Sequence, residues 1–349
     1  MPKFISAIIV ILVLTTHALC ADKFIPQSNT SYIDAQGTAH ITRVVPIPKT
    51  ISPEAQKSLA RPMSDSDSET SIAEDRKQGE EEQERLAKEM QSAYPTTLTR
   101  DKISGVPVRI ISPVNMPPEN RDRVLLNVHG GGFQADWGSV SETVPIASLT
   151  KTKVVAVLYR LSPENPFPAA VDDTIAVYKE LLKTYKPQKL VLYGTSAGAM
   201  LTAEVAVRLK QLGLPLPAAL GILSGDGAMD VFGDSARIFT LDGLKGPLEM
   251  LKDGQPDPYT AKTNPRDPVL SPQYADLKGM PPTFFLTSER DALLSGTVNL
   301  HRAFVHAGVE TQLMVFDGLP HAFWTDFPLP EADEANQLTA DFFNKHLRN

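Results

Sequence analysis

The sequence predicts an α/β fold, a mostly parallel central sheet flanked by helices, on two observations. From Pro95 onward, short runs rich in β-branched residues alternate with amphipathic helical stretches. That alternation is the mark of βαβ units, whose right-handed crossovers place helices on both faces of one sheet. Within it, the apolar run 189–193 passes through Gly194-Thr195-Ser196-Ala197-Gly198 directly into a helical pattern. That is a tight strand-to-helix turn.

The individual elements follow in order. Strand signals occur at Val106–Ile111, Val124–Val128, Val154–Leu158, Leu190–Tyr193, Ala219–Leu223, Thr283–Leu286 and Gln312–Phe316. Helical spacing of apolar residues covers Ala169–Tyr185, Ala197–Leu212, Thr297–Ala307 and Glu331–Leu347. Between about 225 and 267 the rhythm lapses into Gly, Asp and Pro, with short apolar pieces at Val231-Phe232 and Leu248–Leu251. This reads as an insertion over the C-terminal edge of the sheet, where open α/β sheets bind ligands.

The region before Pro95 is different. Lys3, the apolar run Ile5–Leu14 and Ala18-Leu19-Cys20 before Ala21 have the layout of a secretory signal at residues 1–20, cut after Cys20. The apolar run is shorter than a bilayer span of about 20 residues, which disfavours a retained anchor, and Leu19 is not the small residue expected before a lipidated cysteine. The mature protein is therefore expected to be secreted or periplasmic, with no stable membrane insertion. Cys20 is the sole cysteine, so a cut after it excludes disulfides, thiolate metal sites and a cysteine nucleophile. Residues 21–95 form an N-terminal segment, polar through Ser64–Ser68 and then helix-forming from Glu69 to Tyr94, with Leu86, Ala87, Met90 and Ala93 on one side. Most of that helix reads as a solvated surface element ended by Pro95, with its last turns available to a lid. The catalytic domain is expected over 96–349.

Composition narrows the function classes. With 42% hydrophobic residues, 21% charged and a net charge of −7, the chain has the makings of one large core and no Lys/Arg cluster to face phosphate. That argues against nucleic-acid binding. No HExxH or comparable ligand cluster occurs, and the reading calls for no metal and no cofactor.

The chemistry centres on Gly194-Thr195-Ser196-Ala197-Gly198, which fits G-x-S-x-G. So tight a turn pushes Ser196 outward at the start of a helix, with backbone N–H groups nearby to stabilise a developing oxyanion. A second motif, His129-Gly130-Gly131-Gly132-Phe133, directly follows the run Val124–Val128. Consecutive glycines let a backbone approach a ligand closely, and no lysine follows at the spacing a phosphate loop needs. Nucleophile, acid and histidine follow in that chain order around such a turn. Of the seven histidines, His17 leaves with the signal, and His40 and His129 precede Ser196. His301 and His306 fall in a helix, and His346 lies almost at the C-terminus. His321 remains, in a loop after the run Gln312–Phe316. The acid is expected after Thr283–Leu286, as Asp291 in preference to Glu289 or Asp317, to fix the imidazole tautomer.

Together these pieces resemble the hormone-sensitive-lipase-like esterases of the α/β-hydrolase fold, over roughly Pro107 to His346. Besides HGGGF and GTSAG, the stretch Tyr159–Ala170 (YRLSPENPFPAA) is similar to that family's YRLAPExPFPAA segment. Thr195, where many members carry aspartate, is the residue of a GTSAG subgroup, and Asn165 stands where histidine is common. The resemblance implies an oxyanion hole from the N–H groups of Gly131, Gly132 and Ala197. It also implies a cap built from the N-terminal segment and the insertion, and a small-molecule ester as substrate; a homodimer is compatible with it. Hydrolysis of short-to-medium acyl esters through an acyl-enzyme is the first reading. A lactone, amide or carbamate hydrolase with the same triad is the alternative. A non-catalytic binding protein of this fold is disfavoured because all three triad residue types are retained.

Overall fold

The computed structural model describes residues 29–62, 71–246 and 257–347. The signal and its cut, the stretch Ser64–Ser68 and the apolar piece Leu248–Leu251 lie outside them. Two compact units divide the chain at Pro46. The first holds a hairpin, β1 (Thr30–Ile33) and β2 (Ala39–Thr42), paired antiparallel. Its turn is closed by Asp34, which accepts the N–H groups of Gln36 and Thr38.

The second unit begins with α1 (Pro53–Leu59) and α2 (Ile72–Met90), followed by β3 (Thr96–Ile103), β4 (Val106–Pro113) and β5 (Val124–Val128). Next come α3 (Val144–Thr150), β6 (Lys153–Val157), α4 (Ala169–Leu181), β7 (Leu190–Thr195) and α5 (Ala197–Gln211). The chain continues through β8 (Ala219–Leu223), α6 (Ser235–Ile238), β9 (Thr283–Ser288), α7 (Leu294–His306), β10 (Thr311–Phe316) and α8 (Pro330–Leu347). One eight-stranded sheet has the order β10-β9-β8-β7-β5-β6-β4-β3. It is parallel from β6 across to β10 and antiparallel only where β4 meets β6 and β3.

Alternation along the buried strands feeds two cores. Val124, Leu126 and Val128 of β5, Leu190 and Leu192 of β7 and Phe285 of β9 pack on α4, α5 and α7. Leu125, Val191, Tyr193, Phe284 and Leu286 face α3, α8 and the apolar sides of α1 and α2. The registry aligns Val128 with Gly194, Thr195 with Leu223, and Leu223 with Leu286, so the loops that follow β5, β7, β8 and β9 emerge at one edge.

Several elements went unread in the sequence, among them the hairpin, β3, α3 and the short helices α1 and α6. The hairpin is short and exposed throughout. β3 is an outer strand of mostly exposed polar residues, TTLTRDKI, with no apolar alternation. α3, VPIASLT, is buried nearly all round and shows no amphipathic period. The helix expected to run from Glu69 to Tyr94 spans Ile72–Met90, stopping short of Pro95, with Ser71 capping its N-terminus. Its buried residues are Gly79, Gln83, Leu86 and Met90. The face turned inward thus starts two turns earlier than its apolar residues suggest, because Gly79 and Gln83 carry no hydrophobic signal. Met90, in the turns read as available to a lid, is 1% exposed and belongs to the core. α1 is tied to α8 through Ser52, whose N–H and hydroxyl both donate to Glu331.

Candidate active site

Ser196 sits between β7 and α5 with φ 60° and ψ −124°, a backbone conformation L-residues rarely adopt. The glycines on either side explain how the turn closes. A Cβ on Gly194 or on Gly198 would collide with the carbonyl oxygen of Val128 at the end of β5, so only glycine lets the two strand ends approach this closely. The turn is anchored on its other side by the Ser196 N–H, which donates 3.0 Å to the Leu223 carbonyl of β8.

The glycine loop after β5 lies against this turn. A Cβ on Gly130 would sit 3.0 Å from the Thr195 carbonyl oxygen and 3.3 Å from the Ser196 Cβ. Gly131, Gly132 and Phe133 follow at φ +120°, +60° and +60°, a left-handed run that turns the backbone sharply. Beneath it lies Glu142, fully buried, whose carboxyl accepts the Gly130 N–H at 2.8 Å and the Asn127 amide at 2.9 Å. Burial pushes this carboxyl up to about 8 despite those donors, which favours its protonated form. Ala197 opens α5, where the helix N-terminus presents unpaired N–H groups and partial positive charge.

His321 and Asp291 are brought together. His321 Nδ1 lies 2.9 Å from Asp291 Oδ1, and Asp291 has no exposed surface. The same carboxylate accepts the Leu293 N–H at 2.8 Å, the Thr287 hydroxyl at 3.0 Å and the hydroxyl of Ser224. Burial opposes its charge, but His321 and these donors outweigh burial and hold the carboxyl below the usual carboxylate range. His321 Nε2 is buried and has no hydrogen-bond partner among the described residues, so one ring nitrogen is held by the carboxylate and the other is not. The alternatives for the acid point elsewhere. Glu289 is exposed and meets Asp317, whose hydrogen bond and charge push the Glu289 carboxyl up. Asp317 in turn accepts the Thr50 hydroxyl.

The loop carrying His321 is joined to the serine turn. Trp324 Nε1 donates 3.0 Å to Thr195 Oγ1, and the Ser288 hydroxyl holds the Pro320 carbonyl at 2.9 Å. Ser224, which follows β8, went unremarked in the sequence although its hydroxyl contacts both Asp291 and His321 Nδ1 (3.1 Å to the latter). A serine after a strand is too common to signal anything; only the pairing of β8 with β9 puts it there.

The insertion meets the site at two points. The Leu241 carbonyl accepts the His321 N–H at 3.1 Å, and the Tyr259 ring stacks on Phe133 with centroids 3.5 Å apart. Of its apolar pieces, Val231 is 43% exposed. A cavity of about 550 Å³ lies between α1, α2 and the loop after His321, lined in part by Leu86, Trp137, Thr325 and Phe327. Among the described residues no group of His, Cys, Asp and Glu is arranged to hold a metal ion, and no helix is long and apolar enough to cross a membrane.

Sheet order, crossovers and a serine on the turn after a central strand define an α/β-hydrolase. Similarity to known proteins agrees: a family model described as the alpha/beta hydrolase fold matches residues 125–325. An esterase of Acinetobacter venetianus is 30% identical over 226 residues, covering 63% of this chain and 73% of its own. An acetyl-hydrolase of Streptomyces hygroscopicus is 32% identical over 237 residues, covering 65% and 77%. The crystal structure of the esterase E25 matches with a TM-score of 0.75 and 31% identity over 88% of this chain and 98% of that one. An esterase from the bacterial hormone-sensitive lipase family matches with a TM-score of 0.70 and 30% identity, covering 85% and 99%. The chain belongs to the α/β-hydrolase fold family and, within it, to the hormone-sensitive-lipase-like esterases; it is a carboxylic ester hydrolase.

Proposed function

We propose that this esterase cleaves short-to-medium acyl esters through an acyl-enzyme, with Ser196 as nucleophile, His321 as general base and Asp291 as the acid that orients it. The observation that carries the proposal is the division of labour in His321, with Nδ1 held on a buried carboxylate and Nε2 left unbonded. In the first half-reaction Ser196 Oγ attacks the ester carbonyl while Nε2 takes its proton. The carbonyl oxygen, now anionic, is received by the N–H groups of Gly131, Gly132 and Ala197. The intermediate collapses as Nε2 returns the proton to the departing alkoxide, releasing the alcohol. Water, deprotonated by the same nitrogen, then attacks the acyl-serine; the acyl–Oγ bond breaks as Nε2 returns the proton to Ser196, freeing the acid.

Two relatives named as acetyl-hydrolases support a short acyl group. The cap proposed here comprises α1, α2, the turn at Leu241 and the segment at Tyr259. Export through the signal at residues 1–20, with Ala21 as the mature N-terminus, is part of the same proposal, and N-terminal mass analysis of the exported protein tests it.

The decisive experiment is labelling with an organophosphate together with Ser196→Ala. A single adduct on Ser196 and a loss of kcat of roughly 10⁴-fold or more are expected, since a triad acts as a unit. An inactivated enzyme with Ser196 unmodified overturns the assignment.

A further inference from the structure

The backbone from Gly131 to Phe133 cannot hold its own shape. Three successive residues at positive φ, the last of them a phenylalanine, are costly for an L-residue and persist only where surrounding contacts over-determine them. Its constraints can be traced. At the entry, Glu142 takes the Gly130 N–H. In the middle, the Gly131 carbonyl accepts the N–H groups of Gln134 (2.9 Å) and Ala135 (3.0 Å). At the exit, the Phe133 carbonyl accepts the Ser162 N–H at 2.8 Å and the Ser162 hydroxyl at 3.2 Å.

Beside the Tyr259 ring stacked on Phe133, a further exit constraint comes from far upstream, in α2. Arg76 Nε donates 2.7 Å to the Gln134 carbonyl, and Nη2 of the same guanidinium donates 2.8 Å to the Ser162 carbonyl. One rigid fork therefore joins the segment leaving the glycine loop to the segment that holds Phe133. Its outer side is occupied by Glu164, paired bidentately at 3.0 and 2.7 Å. Further along the same face, a Cβ on Gly79 would lie 2.7 Å from the Asp136 carbonyl oxygen. Glu80 pairs with buried Arg109, which also reaches Asp136 at 3.3 Å. Gln83 accepts the N–H groups of Val140 (2.8 Å) and Ser141 (3.2 Å). Positions 76, 79, 80 and 83 form one helical stripe, and it grips residues 134–141 through polar contacts and close backbone approach.

We propose that α2 is a clamp on the oxyanion loop and that Arg76 is its positioning residue, setting the aim of the Gly131 and Gly132 N–H groups. This rests on the assignment of those N–H groups to the oxyanion. Misplacement by about 1 Å near the reacting atoms can cost about 100-fold in rate, and loss of one oxyanion donor about 100- to 1,000-fold.

The test compares Arg76→Gln, Arg76→Lys and Glu164→Gln in the full chain. Each is assayed for kcat, KM, melting temperature and the Ki of a trifluoromethyl ketone, which adds to the serine and leaves an oxyanion in the hole. Arg76→Gln should lower kcat by about 10- to 100-fold with KM within about 3-fold, and raise Ki by the same factor as kcat falls. Arg76→Lys should recover part of both, and Glu164→Gln should leave both within about 2-fold. Unchanged kcat and Ki in Arg76→Gln, whatever its melting temperature, overturn the proposal. Should that variant not fold, wild-type kcat and Ki in Arg76→Lys do the same. If Ser196→Ala is inactive while Arg76→Gln keeps full kcat, the clamp alone fails; if Ser196→Ala stays active, the catalytic assignment fails.

Discussion

Trp324 donates its indole N–H to the hydroxyl of Thr195 across 3.0 Å, with both residues 2% exposed. The contact joins the loop of His321 to the residue before Ser196, and the Trp324 carbonyl is itself held by Asn336 of α8 at 2.9 Å. The end of β7 and a loop more than a hundred residues further along the chain thereby share one hydrogen bond. Thr195→Val keeps the shape but removes the acceptor, leaving a buried donor unpaired at a cost of about 1–3 kcal/mol. The expected result is a lower melting temperature and a kcat reduced by roughly 10-fold at nearly constant KM. Steady-state kinetics and a thermal melt check it, and an unchanged kcat would mean that the serine turn and the histidine loop hold their places independently.

Asp291 and Ser224 separate two ways of supporting the imidazole. Asp291→Asn preserves the size of the side chain but favours the wrong tautomer of His321, and kcat should fall roughly 10³- to 10⁴-fold. Ser224→Ala removes one of four donors to the carboxylate and leaves the acid in place, so a smaller loss of roughly 10-fold is expected. Equal losses in both variants would show that Ser224 does more than steady the carboxylate.

Glu142 predicts a pH dependence of stability. Its carboxyl, at 4.5 when unfolded, is raised by burial to about 8 in the fold. Between those values the native state binds more protons than the unfolded state, so stability from this group falls as pH rises. It is full below about pH 4.5 and lost through pH 8. Glu142→Gln cannot ionise, and its melting temperature should drop less than that of the wild type between pH 5.5 and 8.5. Identical drops would show that Glu142 does not titrate in that window.

Acyl length is the last prediction. Each methylene adds about 0.8 kcal/mol of favourable transfer only while it remains in an apolar pocket. The cavity between α1 and α2 has neither Ser196 nor His321 in its wall, so the proposed cap, with the turn at Leu241 and the segment at Tyr259, is expected to set the limit on chain length. kcat/KM across a graded series of p-nitrophenyl esters should rise from acetyl to about butyryl or hexanoyl and then fall. Fastest turnover on chains of roughly sixteen carbons, with activation at an oil–water interface, would mark a pocket of a different kind.

What the sequence by itself determined is local. The strand-and-helix rhythm after Pro95, the turn around Ser196 and the glycine loop after β5 each rest on backbone sterics and burial periodicity within some ten residues. The contact between His321 and Asp291 agrees with an expectation drawn from chain order and loop position, which leave few other candidates of their residue types. Leu86 showed where α2 is apolar, but Arg76, Gly79 and Gln83, which bind it to the loop at 134–141, belong to no apolar pattern. Arg76 meets Ser162 across 86 residues, and Ser224 meets Asp291 across 67. Such pairings exist only after the sheet has ordered its strands as β8 beside β9 and β7 beside β5. The tertiary structure decided them because polar contacts between distant segments leave no periodic trace in either segment. It likewise placed Glu142 beneath the glycine loop, where burial, rather than anything in its neighbouring sequence, raises the carboxyl.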